Sequence, residues 1–313
     1  MNRSMVQPLP FVSIVVAARN EQAHIGVCLE SLLAQDHPND RYEIIVVDND
    51  STDRTAEVIR RYPGVRYVFE HAGHSAAIAR NRGISESRGE LIAFTDADCV
   101  ASSSWLRQGV AGFSEDRIGC VAGEIKADCP RTLAQRYAER RQALSQRWTL
   151  QEAFRPYAQT ANAFYRRRVL EALGSFDASL VICEDADLAW RMQERLGLSI
   201  AFRPEAIVSH QHRETVKELL KQRAGYGYSS VLLYLKYRDQ MGRWTLKHTY
   251  WDTVSFGRRV WSLVRACGAS MTARLNGHGE PQAVAMASLD VLSYVAWKIG
   301  QLKGSLRHHV WYI

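Results

Sequence analysis

Asp96 and Asp98 stand two residues apart directly after the apolar run Leu91-Ile92-Ala93-Phe94-Thr95. A buried strand that ends in Asp-x-Asp presents oxygen ligands at its tip. Mg2+ and Mn2+ take such ligands and commonly share them with substrate phosphates, and a metal held there neutralises charge on a diphosphate leaving group. A bare Asp-x-Asp is also an ordinary turn or helix cap, and its place after a buried strand is what favours the metal. Asp48 follows Ile44-Ile45-Val46-Val47 in the same way. A carboxylate there can accept a hydrogen bond from a base imide N–H or a ribose hydroxyl; an Asx-turn leading into the next helix fits Asp50 or Ser51 better than Asp48. Glu184-Asp185-Ala186-Asp187 lies at or just before a helix start, where the helix dipole favours carboxylates. Capping is the simple reading for Asp187 and a weaker one for Asp185. The alternative is a general base that takes a proton from an attacking hydroxyl. His210 and His212 end a strand, and a spacing of two puts both rings on one face, from which one can offer an imidazole to the metal. Arg80, in Ala79-Arg80-Asn81-Arg82-Gly83, either lies on a solvated helix face or reaches a nucleotide from the rim of a sheet.

The elements that must position these residues are legible in the first hundred positions. Residues 11–17 are apolar and β-branched but for Ser13, as a strand buried on both faces should be, 43–47 repeats that signature after its opening Glu43, 65–69 reads as a third strand and 91–95 as a fourth. Helical spacing separates them: Ile25, Cys28, Leu29, Leu32 and Leu33 after a candidate N-cap at Asn20, then 51–63, then 75–87. Strand and helix in alternation predict a parallel sheet with helices on both faces. Ligands of such sheets sit beyond the carboxyl ends of the strands. The polar clusters gather at those ends: Arg19-Asn20-Glu21, Asp48-Asn49-Asp50, and Asp96 with Asp98. Farther on, residues 126–152 read as helix, 159–165 as strand, 166–173 as a short helix, 184–196 as helix and 199–208 as strand. From Glu214 the chain turns basic and aromatic, and residues 283–313 are apolar but broken by Asp290, Lys298 and Lys303.

The 313 residues are 46% hydrophobic and 23% charged, values that exclude a disordered or collagen-like chain. Forty Lys and Arg against 33 Asp and Glu leave +7, which favours an anionic partner without choosing among nucleic acid, a phosphorylated small molecule and an anionic membrane surface. A nucleic-acid binder has no use for acidic clusters at three strand ends, so no nucleic-acid partner is expected. Six cysteines form no C-x-x-C pair and fit buried reduced thiols. No segment reaches the roughly 18 uninterrupted apolar residues of a membrane span, and the apolar run at 11–18 ends in Arg19-Asn20-Glu21 rather than a cleavage site.

Together, VSIVVAARNE, VVDNDSTDRT, AIARNRGISESRGELIAFTDADC, NAFYRRRVLEALGSFD, EDADLAWR and VSHQHR, in this order and spacing, resemble glycosyltransferase family 2 over about residues 11 to 240. The resemblance implies a GT-A fold, an α/β architecture with a Rossmann-like, mostly parallel sheet and helices on both faces, plus a helical C-terminal appendage. Residues 1–213 would form the catalytic domain, with a nucleotide-sugar-binding half at about 11–120 and an acceptor half at 121–213; residues 214–313 would be the helical, basic and aromatic region. The implied activity is inverting transfer of a sugar from a UDP-, GDP- or dTDP-sugar to a hydroxyl acceptor, lipid-linked or a glycan precursor, with Mg2+ or Mn2+. Carried over residue by residue, Asp48 would recognise the base, and Asp98, with Asp96 and His210 or His212, would hold the metal; Glu21, Arg80 and Asp96 are the candidates for binding the nucleotide-sugar. Asp185 is the general base.

The chain departs from the family pattern at several positions. Ala17-Ala18-Arg19-Asn20-Glu21 lacks the proline many relatives carry, and Asn49-Asp50 replaces an Asp-Gly pair. Gln222-Arg223-Ala224-Gly225-Tyr226 does not match the Q-x-x-R-W of processive synthases, so non-processive transfer is expected. A nucleotidyltransferase would open with a glycine-rich loop, and Ala18 to Glu21 contains no glycine. A catalytically inactive scaffold is the alternative, against which stand the intact Asp48, Asp96, Asp98 and Asp185. The basic, aromatic C-terminal region either docks on a membrane face or packs on the catalytic domain or a second subunit. The expected location is the cytoplasm, with the cytoplasmic face of a membrane as the variant that a lipid-linked acceptor would require.

Overall fold

The computed structural model describes residues 9–152, 154–275 and 281–312. The strands are β1 (Val12–Ala18), β2 (Tyr42–Asp48), β3 (Val65–Phe69), β4 (Leu91–Asp96), β5 (Cys99–Ala101), β6 (Ile118–Ala127), β7 (Asn162–Arg166) and β8 (Ser199–His210). The helices are α1 (Ile25–Leu33), α2 (Thr55–Ile59), α3 (Ala76–Glu86), α4 (Trp105–Ala111), α5 (Leu133–Arg140), α6 (Gln146–Thr149), α7 (Arg167–Leu173), α8 (Glu184–Leu196), α9 (Val216–Met241), α10 (Leu246–Leu275) and α11 (Pro281–Arg307). By contact the chain divides into a first unit, Met1–Asp128 with Leu144–Gln211, and a second, Cys129–Ala143 with His212–Ile313. Residues 129–143, which the sequence reading put in the acceptor half, thus cluster with the C-terminal helices.

All eight strands form one sheet in the order β3-β2-β1-β4-β7-β6-β8-β5. The β1–β2, β1–β4, β2–β3 and β6–β8 pairs are parallel, and β4–β7, β6–β7 and β5–β8 are antiparallel. The sheet is therefore mixed: β7 enters it antiparallel between β4 and β6. Alternate residues of β1 feed opposite layers. Val12, Ile14 and Val16 join Ile25, Leu29 and Leu32 of α1 and Trp105 of α4. Val15 joins Ala77 and Ile84 of α3, Val169 and Leu170 of α7, and Leu188 of α8. Fully burying one such aliphatic side chain stabilises by about 1.5–3 kcal/mol, and both faces are filled this way. Helix α3 sits so close to the sheet that a Cβ on Gly83 would lie 2.3 Å from Val15 Cγ1.

Three local expectations fail. Asn20 is not a helix cap: it takes φ 57° and accepts from the Thr52 backbone N–H through Oδ1 at 2.9 Å. Helix α1 starts later because the Glu21 carbonyl accepts from the N–H groups of His24 and Ile25, so a turn comes first. The helix expected across 126–152 is interrupted. β6 runs on to Ala127 because β8 pairs with it that far, α5 begins at a Thr132/Gln135 capping box, and Gln142 at φ 47° breaks the chain before α6. Cys28, Cys99 and Cys120 are buried, but Cys129 and Cys267 are exposed and Cys183 is half-buried, so burial does not account for all six.

The second unit holds α5, α9, α10 and α11. A capping box of Thr215 and Glu218 starts α9. α9 and α11 cross at small residues: a Cβ on Gly227 would lie 2.0 Å from the Trp297 carbonyl oxygen, and one on Gly300 would lie 2.0 Å from that of Ala224. Among the described residues one segment, Gln282–Arg307, is long and apolar enough to cross a membrane by length and composition alone. Asp290, Lys298 and Lys303 interrupt its apolar run, so the segment lacks 18 uninterrupted apolar residues and qualifies only on averaged hydropathy.

Candidate active site

The rim formed by the carboxyl ends of β1, β2 and β4 brings the acidic clusters together. Register pairs Ala18 with Asp48 and Ala17 with Asp96, so the two carboxylates flank the end of β1. Asp48 is buried. Its Oδ1 accepts from the Ser51 N–H at 3.1 Å and its Oδ2 from the Tyr67 hydroxyl at 3.0 Å. The Asx-type turn is thus made by Asp48 itself, where the sequence favoured Asp50 or Ser51. Asp50 is instead in the left-handed region at φ 57°, beside His74 at 2.9 Å. Burial, with Asp48 next to it, pushes the Tyr67 hydroxyl up to about 12, so it stays a donor. Asn49 reaches the carbonyl of Gly73 at 2.7 Å and holds the following loop. Glu21 fixes the neighbouring turn: its N–H donates to Thr55 Oγ1 at 2.8 Å and its Oε2 meets His24 Nδ1 at 2.9 Å.

Arg80 is buried, not on a solvated helix face. Its guanidinium joins two of the sequence motifs: Nη2 donates to Asp96 Oδ1 at 2.8 Å and Nη1 to Glu184 Oε1. Neighbouring residues of α3 explain the rest of the motif. Asn81 clamps the backbone of Phe176 through both amide atoms, at 2.9 and 3.0 Å, and Gly83 permits the close approach to β1. The Asp96–Arg80–Glu184 bridge ties the tip of β4 to the first turn of α8.

Asp185 follows in that first turn. Burial, then the adjacent Glu184, pushes its carboxyl from 3.8 up to about 7, while the Ala186 N–H and Arg80 pull the other way. Desolvation disfavours the charged form, and a nearby like charge adds to it. Asp187 neither caps the helix nor joins this cluster: it pairs with Arg191 Nε at 2.8 Å, four residues on. Arg191 then donates to the carbonyls of Leu173 and Ser175, each at 2.8 Å, closing the end of α7.

The two carboxylates of Asp-x-Asp part company. Asp96 is engaged by Arg80. Asp98, past the end of β4, turns toward β8, where His210 Nε2 lies 3.3 Å from its Oδ1. The strand pairing Cys99↔His210 and the hydrogen bond from the Gln211 N–H to the Asp98 carbonyl hold them side by side. Asp98, Cys99 and His210 present ligand atoms within 4.8 Å of one another. Asp98 Oδ1 is buried and forms no hydrogen bond among the described residues, as expected of an oxygen kept for a cation. Burial holds the Cys99 thiol well above its usual range, so it stays protonated beside a carboxylate oxygen of the kind Mg2+ and Mn2+ take and an imidazole, a ligand typical of transition metals. His212 is not in this group. β8 ends at His210, so the alternation that would align both rings stops there. His212 belongs to the second unit, its carbonyl accepting from Gln135 Nε2 at 3.3 Å.

Three participants were not singled out from the sequence. Glu184 stands directly beside the candidate base, where its like charge adds to burial in raising Asp185. Tyr67 lies on β3, the register neighbour of β2, and Cys99 directly follows Asp98; both could have been found from strand alternation.

Against known proteins, residues 13–174 match the family model "Glycosyl transferase family 2". The chain is 31% identical over 251 residues to the glycosyltransferase AglE of Haloferax volcanii, covering 76% of this chain and 79% of that one. It is 27% identical to the beta-monoglucosyldiacylglycerol synthase of a Nostoc species, covering 94% of this chain but 65% of the relative, just under two thirds of its length. Its fold is similar to that of the mannosyltransferase PcManGT of Pyrobaculum calidifontis, solved with GDP-Man and Mn2+, at a TM-score of 0.63 and 20% identity over 95% of this chain and 88% of that one.

Proposed function

This chain belongs to glycosyl transferase family 2, and we propose that it transfers a sugar from a nucleoside-diphosphate sugar to a hydroxyl acceptor by a single inverting displacement, one sugar at a time. The observation that carries this reading is Asp185: a half-buried carboxyl raised to about 7, beside the bridge that leads to Asp96. A base poised there accepts the acceptor's proton at neutral pH as the hydroxyl attacks the anomeric carbon. Asp48 orients the nucleoside with lone pairs that Ser51 and Tyr67 leave open, and Glu21 holds the turn beside it. Asp96, fixed by Arg80, orients the donor sugar. Asp98 and His210 would hold Mg2+ or Mn2+, which supplies charge neutralisation at the departing diphosphate. The GDP-Man of the Pyrobaculum structure supports a nucleotide-sugar donor, and the diacylglycerol in the Nostoc enzyme's name supports a lipid acceptor. We assign residues 1–213 to catalysis and 214–313 to a helical region that brings the protein to the cytoplasmic face of a membrane.

Calorimetry with UDP, GDP, dTDP and CDP, each with Mn2+ and with EDTA, on wild type and Asp98→Ala, tests the reading. One nucleotide should bind, need metal, and lose affinity in the variant. No binding of any nucleotide would overturn it and leave the inactive scaffold.

A further inference from the structure

The second unit contains a cavity of about 250 Å³ that the sugar-transfer reading does not use. Arg141 of α5, Arg223 of α9 and Arg259 of α10 line it, and Asp290 of α11 is the one carboxylate among its lining residues. Asp290 is heavily shared: its Oδ1 accepts from the Tyr137 hydroxyl at 3.0 Å and faces Arg141 Nε at 3.4 Å, while Oδ2 lies 3.7 Å from Arg259 Nε. Arg223 has no acidic partner among the described residues. Arg223 Nε and Arg259 Nε are both buried and form no hydrogen bond there. Buried guanidinium donors left unsatisfied are costly. Three guanidinium charges against one carboxylate leave two positive charges unmatched. Guanidinium forks fit phosphate oxygens, and a phosphate monoester carries about −1.5 to −2 at neutral pH.

A second cavity, of about 270 Å³, shares Tyr137, Arg141 and Asp290 with the first and continues over Ala266, Ala283, Met286 and Ala287. Arg140 and Ser262 line it too, so small apolar side chains stand there beside a further guanidinium. The helices that carry them expose large apolar side chains: Trp261 is 64% and Val264 54% exposed on α10, and Leu292 is 45% exposed on α11. Aromatic and aliphatic side chains beside basic ones suit the boundary between lipid headgroups and acyl chains. We propose that this pair of cavities binds the phosphate monoester headgroup of a membrane lipid, the phosphate between Arg141, Arg223 and Arg259 and the start of the acyl region over Ala266 and Met286. This stands apart from sugar transfer: a chain that bound no nucleotide would still bind the lipid.

The test is flotation of the full chain with phosphatidylcholine vesicles doped with phosphatidic acid or, at matched surface charge, phosphatidylglycerol. Dioctanoyl phosphatidic acid and glycerol 3-phosphate are titrated in parallel by calorimetry. Phosphatidic acid should be preferred over phosphatidylglycerol, and the dioctanoyl lipid over glycerol 3-phosphate. Arg223→Gln should lose about tenfold in affinity for phosphatidic acid, the scale of one charge-assisted contact. Circular dichroism checks that the variant is folded, and the wild-type lipid preferences test the proposal without it. Equal binding to both anionic vesicles would reduce the effect to surface charge and overturn the proposal. So would an undiminished Arg223→Gln, or glycerol 3-phosphate binding as tightly as the lipid, which would make this a site for soluble phosphates.

Discussion

Asp185 is under two opposed demands. Its folded carboxyl titrates near 7 and its unfolded one near 3.8, so between those values the native state holds a proton that the unfolded state has released. Stability therefore falls as pH rises through that window, and above it the full cost remains. Asp185→Asn should raise stability at pH 8 by on the order of 2 kcal/mol, measured by denaturant unfolding, while turnover falls by about 10²–10⁴-fold. In the wild type, kcat/KM should climb with pH to a plateau above about 7. Arg80 belongs to the same balance. Replacing it by Ala strips Asp96 and Glu184 of their shared partner and should cost about 3–5 kcal/mol. It should also move the acidic limb of the pH–rate profile to higher pH, because Arg80 lowers the Asp185 value. An unmoved limb would mean that Arg80 serves stability alone. That Asp48, Asp96 and Asp98 lie at strand ends was legible from the apolar runs before them, whereas the sequence left His210 and His212 both open and it is the end of β8 at His210 that separates them. That Arg80 joins two motifs was not legible, since residues 80 and 184 meet only through the fold. Nor was the use Asp187 makes of Arg191, because a cap and an i, i+4 ion pair place an acid at adjoining positions of the same helix start.

At the scale of elements, glycines separate tight contacts from open ones. Gly83→Ala presses on a Val15 methyl, and Gly300→Ala presses on the backbone carbonyl of Ala224. Overpacking costs about 1–3 kcal/mol; Gly300→Ala should be the worse of the two, because a carbonyl cannot rotate away as a side chain can. Gly257 on α10 meets nothing within 4 Å, so Gly257→Ala should stabilise by about 0.5–1 kcal/mol through helix propensity. Thermal melts of the three variants would rank them. The first four strands were readable because short runs rich in apolar and β-branched residues alternate with stretches of helical spacing. Residues 126–152 were not, because Ala, Arg and Gln favour helix wherever they stand. What ended β6 at Ala127 and broke the chain at Gln142 was pairing with β8 and a left-handed turn, neither of which composition encodes.

At the scale of the whole chain, ligands that bind only the folded form stabilise it by mass action, by about 2.7 kcal/mol at a hundred times Kd. Mn2+ with the cognate nucleotide should therefore raise the melting temperature, EDTA should reverse the rise, and Asp98→Ala should abolish it; a variant that still responds would place the metal elsewhere. The α/β class was legible from the alternation of strand and helix patterns over the first hundred residues, and a separate C-terminal region from the change in composition near Glu214. The mixed sheet was not, because a buried antiparallel strand such as β7 has the same apolar signature as a parallel one.

The strand order has a consequence for synthesis. β8 lies between β6 and β5, and among the described residues β5 pairs with β8 alone. As the ribosome delivers the chain from its N-terminus, β1 to β4 can assemble early, with Asp48 and Asp96 already at their rim. Asp98 and β5 must wait for residues made more than a hundred positions later. The rim that carries Asp48 and Asp96 can thus form before Asp98 has its neighbour, so a nascent chain arrested short of His210 would carry the Asp-x-Asp motif without the histidine that faces it.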